Sequence, residues 1–234
     1  MKRKTMIQTM KSLLGLALIL SIPVLSRATE YTWTQTAAGT TYDWTNVVNW
    51  GSAGFPNGAG EVANVSSNVT GDIDIRLQQN ITIGKLVIGN PVVADSTKEY
   101  TISSGTGVNR LFFRAATLGQ MAYINVLTNA GTSGHSISAL IDISDGTPLT
   151  IVAAPTQRLF LSGGIETNKS VIVVTGDVGA VSFSGNLIGT GLLLKESLGP
   201  LLITTTIKDF AGKIVLNSGS IDMSGTAGFP YCPE

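Results

Sequence analysis

Short apolar runs, separated by Gly, Asn, Ser and Asp, recur about every ten residues through most of the chain. The clearest is Asp72-Ile73-Asp74-Ile75-Arg76-Leu77, in which aliphatic and charged positions alternate strictly. A period of two places Ile73, Ile75 and Leu77 on one face of a strand and the charges on the other, which predicts a half-buried β-strand. Comparable runs predict strands over 81–88, 110–113, 123–127, 137–143, 149–152, 159–161, 171–174, 181–183, 192–194, 201–207 and 214–216. Ile221 and Met223 close the series, with Ser220, Asp222 and Ser224 on the opposite face. No segment beyond Ala28 carries a helical hydrophobic period, so the expectation is an all-β protein.

Many short strands fit a sandwich, a barrel or a β-solenoid. Three features favour the solenoid. Two-residue hairpin signals are scarce, Asp145-Gly146 being the main one. Runs such as Val171-Ile172-Val173-Val174 and Leu192-Leu193-Leu194 read as parallel strands rather than strands wet on one side. The pattern also has no centre, as expected when each coil touches only its neighbours. At roughly 20 residues per coil, residues 72–223 would form about seven coils and a rod of about 35 Å. The alternative is an antiparallel β-sandwich, since antiparallel pairing is commoner overall.

Charge changes the picture at the N-terminus. The 234 residues hold 15 Lys and Arg against 15 Asp and Glu. Five of the basic residues (Lys2, Arg3, Lys4, Lys11 and Arg27) lie in a leader without acids, followed by an apolar run over 13–25 and the small-residue exit Ser26-Arg27-Ala28. This describes a secretory signal peptide over 1–28, too short in its apolar part to span a bilayer comfortably. The remainder is net negative and lacks clustered Lys and Arg, which argues against nucleic acid as a partner. The expected organisation is then a Trp-rich N-terminal cap region over 29–70, β-helix repeats over 71–225 and a tail over 226–234. The expected location is outside the cell: at the surface, associated with an outer membrane, or extracellular.

The candidate chemistry is sparse. One cysteine, Cys232, and one histidine, His135, exclude an intramolecular disulfide and any site needing two imidazoles or several thiolates. Trp33, Trp44 and Trp50 cluster with Asp43, Asn46 and Asn49. They read as an aromatic lid over the core or, as a candidate ligand site, a stacking platform for a sugar ring. Asp72 and Asp74 share a strand face, but two carboxylates fall short of the six to eight oxygens that calcium takes. No metal and no cofactor is expected. Lyase-type acid–base chemistry needs clustered carboxylates beside Arg or Lys; Arg110 and Arg114 with Asp95 and Glu99 are the conceivable set, though no spacing singles them out. Asp142 and Asp145-Gly146 read as a strand end and turn. His135, within Gly131-Thr132-Ser133-Gly134-His135-Ser136, reads as an exposed turn residue. Asn64, Asn68, Asn80 and Asn168 begin Asn-x-Ser/Thr triplets that a Thr- and Asn-rich chain produces by composition, and Cys232 reads as part of a disordered tail.

Two segments carry a resemblance. Trp33, Tyr42-Asp43-Trp44, Val48-Asn49-Trp50-Gly51 and Phe55-Pro56-Asn57-Gly58 are similar to the opening of exported bacterial proteins built from autotransporter-associated β-strand repeats. There the opening precedes a strand like Asn80-Ile81-Thr82-Ile83-Gly84-Lys85-Leu86-Val87-Ile88. Phe183-Ser184-Gly185-Asn186-Leu187-Ile188-Gly189-Thr190-Gly191-Leu192-Leu193-Leu194-Lys195 resembles the repeat core, with Pro200 departing from the usual Gly or Thr that follows. The resemblance covers about half of the chain beyond the leader. It implies a right-handed parallel β-helix acting as a surface or secreted passenger. Members are longer and often end in an outer-membrane barrel, for which the strands after residue 200 are too few; a truncated frame, or a piece of a longer or neighbouring passenger, is therefore expected. The functional expectation is a non-catalytic, adhesin-like structural protein whose partners are surface glycans or other cells. The alternative is a carbohydrate-binding or polysaccharide-cleaving β-helix module.

Overall fold

The computed structural model describes residues 28–90, 98–128, 134–176, 179–205 and 209–223. The apolar leader, Asp95 and the tail with Cys232 lie outside the described residues. The strands in chain order are β1 (Glu30–Thr32), β2 (Thr41–Asp43), β3 (Val62–Val65), β4 (Ile73–Arg76), β5 (Ile81–Ile83), β6 (Lys85–Ile88), β7 (Tyr100–Ser103), β8 (Arg110–Phe113), β9 (Ala122–Val126) and β10 (Gly134–Ile137). There follow β11 (Leu140–Ile143), β12 (Leu149–Ala153), β13 (Arg158–Leu161), β14 (Ile165–Thr175), β15 (Ala180–Phe183), β16 (Leu187–Lys195), β17 (Pro200–Ile203), β18 (Lys213–Leu216) and β19 (Ser220–Asp222).

Every pairing between these strands is parallel. One column runs β1-β3-β6-β9-β12-β14-β16-β18, a second runs from β2 to β19, and a third takes β5, β8, β11 and the first halves of β14 and β16. The chain is a β-solenoid of about 6 turns. An antiparallel sandwich is excluded, because among the described residues no neighbouring strands fold back as a hairpin. Coils tighten along the rod: Leu86 stacks on Ile124, Ile124 on Ile151, and Val173 on Leu194.

Two predicted strands are each a pair meeting at a corner. The run over 81–88 breaks at Gly84 into β5 and β6, and the run over 137–143 breaks at Ser138-Ala139 between β10 and β11. Hydropathy does not mark these corners, because both arms keep aliphatic residues turned inward. What permits the sharp bend at Gly84 is the missing side chain: a Cβ there would lie 2.4 Å from the Gly60 Cα of the adjacent coil. β14 turns its corner without a break, shifting register between Asn168 and Ser170.

The core is one stack. Ala63, Leu86, Ile124, Ile151 and Val174 are successive register partners and all buried. Each fully buried Leu, Ile or Val in such a stack contributes on the order of 1.5–3 kcal/mol. At the next level the position is taken by Lys195, fully buried, whose Nζ donates to the Ser197 carbonyl and to Ser197 Oγ (2.6 Å). Burial lowers its pKa. The repeat-like glycines have a stacking role: Gly189, at φ +102°, would place a Cβ 1.7 Å from the Thr167 carbonyl oxygen below it.

At the N-terminal end the cap region joins the stack, with β1 on β3 and β2 on β4. Asn46 caps the 3-10 turn Val47–Trp50, its side chain accepting from Val48 N, and Gly51 closes the turn in the left-handed region.

Candidate functional site

The tryptophan trio is core. Trp33, Trp44 and Trp50 are at most 1% exposed, and Trp50 meets Trp33 and Trp44 edge-on at 5.0 and 4.7 Å. Their indole N–H groups donate to Gln35 O, Pro56 O and Trp44 O respectively. A sugar stacks on a free ring face, and these rings offer none. The trio is the lid of the sequence reading; the platform reading of Trp33, Trp44 and Trp50 is corrected by burial.

Among the described residues, the densest charge cluster lies on the outer side of the third column. Phe112 on β8, Asp142 on β11 and Glu166 on β14 are successive register partners, so strand alternation turns all three outward. Arg110 Nη1 bonds Asp142 Oδ2 at 2.8 Å and also reaches Glu166 Oε2. Arg114 donates through Nε to Asp145 Oδ2 at 2.8 Å and through Nη1 to the Asp142 carbonyl at 3.0 Å, and its guanidinium sits 5.0 Å from the centre of the Phe112 ring. Arg110 and Arg114 thus come together as the sequence suggested, but with Asp142, Asp145 and Glu166. Glu99 is engaged on the second column, accepting from Gly134 N.

The electrostatics follow from this geometry. Burial alone would raise the Asp142 carboxyl, but Ser144 Oγ and N, Arg110 and the charge of Arg114 outweigh it and hold its pKa below the usual range. The bond to Asp142 raises Arg110 above an ordinary guanidinium. A general acid needs a proton to give near the working pH, and Asp142 is held ionised. Each of the three carboxylates is bonded to an arginine, so the cluster clamps β8, β11 and β14 together. A cleft of about 370 Å³ beside it is lined by Arg114, Asp145 and the turn from Ala115 to Gly119.

His135 is not an exposed turn residue. It lies in β10, fully buried, and its Nδ1 accepts from Tyr100 N at 3.1 Å. Burial lowers its pKa to about 4. Asp72 and Asp74 each serve a neighbouring coil, accepting from Glu99 N and Ser103 Oγ. Asp145-Gly146 forms the expected turn, with Asp145 accepting from Thr147 N.

A second outer feature escaped the sequence reading. Arg158, Leu159, Phe160, Ala180, Ser182, Pro200 and Leu202 line a groove of about 300 Å³ across β13, β15 and β17. Phe160 is 36% exposed, and its ring lies over Gly134, where a Cβ would come within 2.5 Å of it. The signal available was Phe160 itself, an aromatic on the polar phase of its strand. No protein-family model, curated protein or solved structure matches the chain.

Proposed function

We propose that this chain is a non-catalytic, passenger-like β-solenoid of exported bacterial proteins, acting as a stiff structural and adhesin-like rod at the cell surface. The observation that carries the reading is the Arg110–Asp142–Glu166 ladder with Arg114 and Asp145. Its charges are directed into clamping successive coils, and Asp142 at its centre is held ionised. The leader supports export, and the glycines of the segment 183–195 support kinship with autotransporter-associated β-strand repeats, because Gly189 and Gly191 occupy positive-φ, backbone-tight positions that a stacked repeat requires. Surface glycans and other cells are the proposed partners.

A second reading, a carbohydrate-binding module, is favoured by the Phe160 groove. An exposed ring can stack on the apolar face of a sugar, and Arg158 and Ser182 supply donors beside it. The test is a glycan array together with a polysaccharide-depolymerisation assay, run on the wild-type chain and Phe160→Ala. The rod reading expects no turnover. Retention of a glycan by the wild type and its loss in Phe160→Ala would establish the second reading, and sustained depolymerisation would overturn the first.

A further inference from the structure

The outer face of the first column turns apolar toward its later coils, where a solvated sheet would be polar. Tyr123, Thr150, Val173, Leu194 and Val215 are successive register partners. They alternate with the core residues Ile172, Val174 and Leu193 and therefore point outward. Val173 is only 8% exposed yet stands outside the core cluster. In the adjoining file Val171 pairs with Leu192, and Leu192 with Lys213. Parallel strands with such continuous apolar runs are ordinarily covered on both faces; Val171, Leu192, Leu194 and Val215 stay half-buried, and a contiguous apolar patch left partly open marks an interaction surface.

The flanking charges indicate the occupant. Lys213 is exposed at the leading edge of the apolar stripe, and Glu196 is exposed at its trailing edge, one coil earlier. None of the ion pairs among the described residues uses either. A two-fold axis along the stripe, parallel to the rod, lays leading edge on trailing edge at the same height. Lys213 of one copy then lies within about one strand spacing, ~4.8 Å along the axis, of Glu196 on the other, and the contact occurs twice by symmetry. We infer that this face packs against the same face of a second copy, side by side, through the Leu192–Leu194–Val215 patch and two reciprocal Lys213–Glu196 pairs. The inference does not depend on export or adhesion.

Analytical ultracentrifugation of the full chain in the tens of micromolar tests it, with circular dichroism confirming that each variant keeps its β signal. The wild type is expected to be dimeric. Leu194→Glu, which places an unpaired carboxylate in the stripe, should weaken the dimer about a hundredfold. Lys213→Glu and Glu196→Lys, both on the exposed rim and harmless to the fold, should each weaken it about tenfold, and the double charge swap should restore it. A monomeric wild type overturns the proposal. So does a dimer insensitive to the rim reversals, or one that disappears when residues 1–28 are removed, which would make the leader the occupant.

Discussion

Acidification offers a quantitative handle on how tightly the coils are closed around His135. The imidazole is fully buried, its ring centre 5.9 Å from that of Tyr100, and its Nδ1 must stay unprotonated to accept from Tyr100 N. Around it, the Tyr100 hydroxyl donates to Ser67 O and the Glu99 carboxylate accepts from Gly134 N. Burial moves the pKa from 6.5 to about 4 in the folded chain. Above pH 6.5 neither state is protonated, and the histidine contributes no pH dependence. As pH falls below 6.5 the unfolded chain takes up a proton that the native chain refuses, so stability declines until about pH 4. One unit is about 1.4 kcal/mol, and the loss at pH 4.5 comes to about 2.5 kcal/mol. His135→Asn removes the titration while keeping an acceptor near Nδ1, at a pH-independent cost of about 1–2 kcal/mol for lost packing. Urea unfolding of both proteins between pH 7.5 and 4.5 should show the wild type's advantage shrinking by about 2.5 kcal/mol, even to reversal. A difference constant to within about 0.5 kcal/mol would refute the buried, neutral imidazole. Asp142 titrates in the same direction, but it is common to both proteins and cancels in the comparison.

Three further outcomes follow from the packing. Gly189→Ala places a methyl group on the Thr167 carbonyl and should lower stability by about 3 kcal/mol or more, whereas Gly146→Ala, at φ +92° with open space around it, should cost only about 1–2 kcal/mol; thermal unfolding separates the two, and equal costs would contradict the stacking role. Trp50→Ala should cost about 3–5 kcal/mol, read by urea denaturation, and a change below about 1 kcal/mol would mean the trio is not core. Asp142→Asn leaves two arginines without their shared carboxylate and should cost about 3 kcal/mol; unchanged stability would show that the ladder does not clamp the coils.

The sequence carried the fold because period-two alternation is local: Ile73, Ile75 and Leu77 announce a strand without reference to anything distant. The paired hydrophobicity of 171–174 and 192–194 also pointed to parallel stacking. What remained hidden is everything that depends on which coil lies over which. Arg110 finds Asp142 and Glu166 at separations of 32 and 56 residues, and unequal coil lengths give no fixed spacing from which to read those partners. His135 was misplaced for a related reason: a Gly- and Ser-rich stretch looks like a turn, yet Gly134 is small because the Phe160 ring of the next coil lies over it. Lys195 sits in a core position that no hydropathy pattern assigns to lysine. The tryptophans were identified as a cluster, but which groups their rings and indole N–H groups would meet depended on Tyr42, Gln35 and Pro56 folding around them.

The outward register series Glu30–Val62–Lys85–Tyr123–Thr150–Val173–Leu194–Val215 supplies the most direct measurement. Spin labels at Lys85 and Leu194, at Lys85 and Val215, and at Glu30 and Val215, read by pulsed dipolar spectroscopy, should give backbone separations near 19, 24 and 34 Å, one strand spacing of about 4.8 Å for each level crossed. Distances that shorten or stay level as further coils are crossed would mean the chain doubles back on itself, and the parallel stack would be wrong.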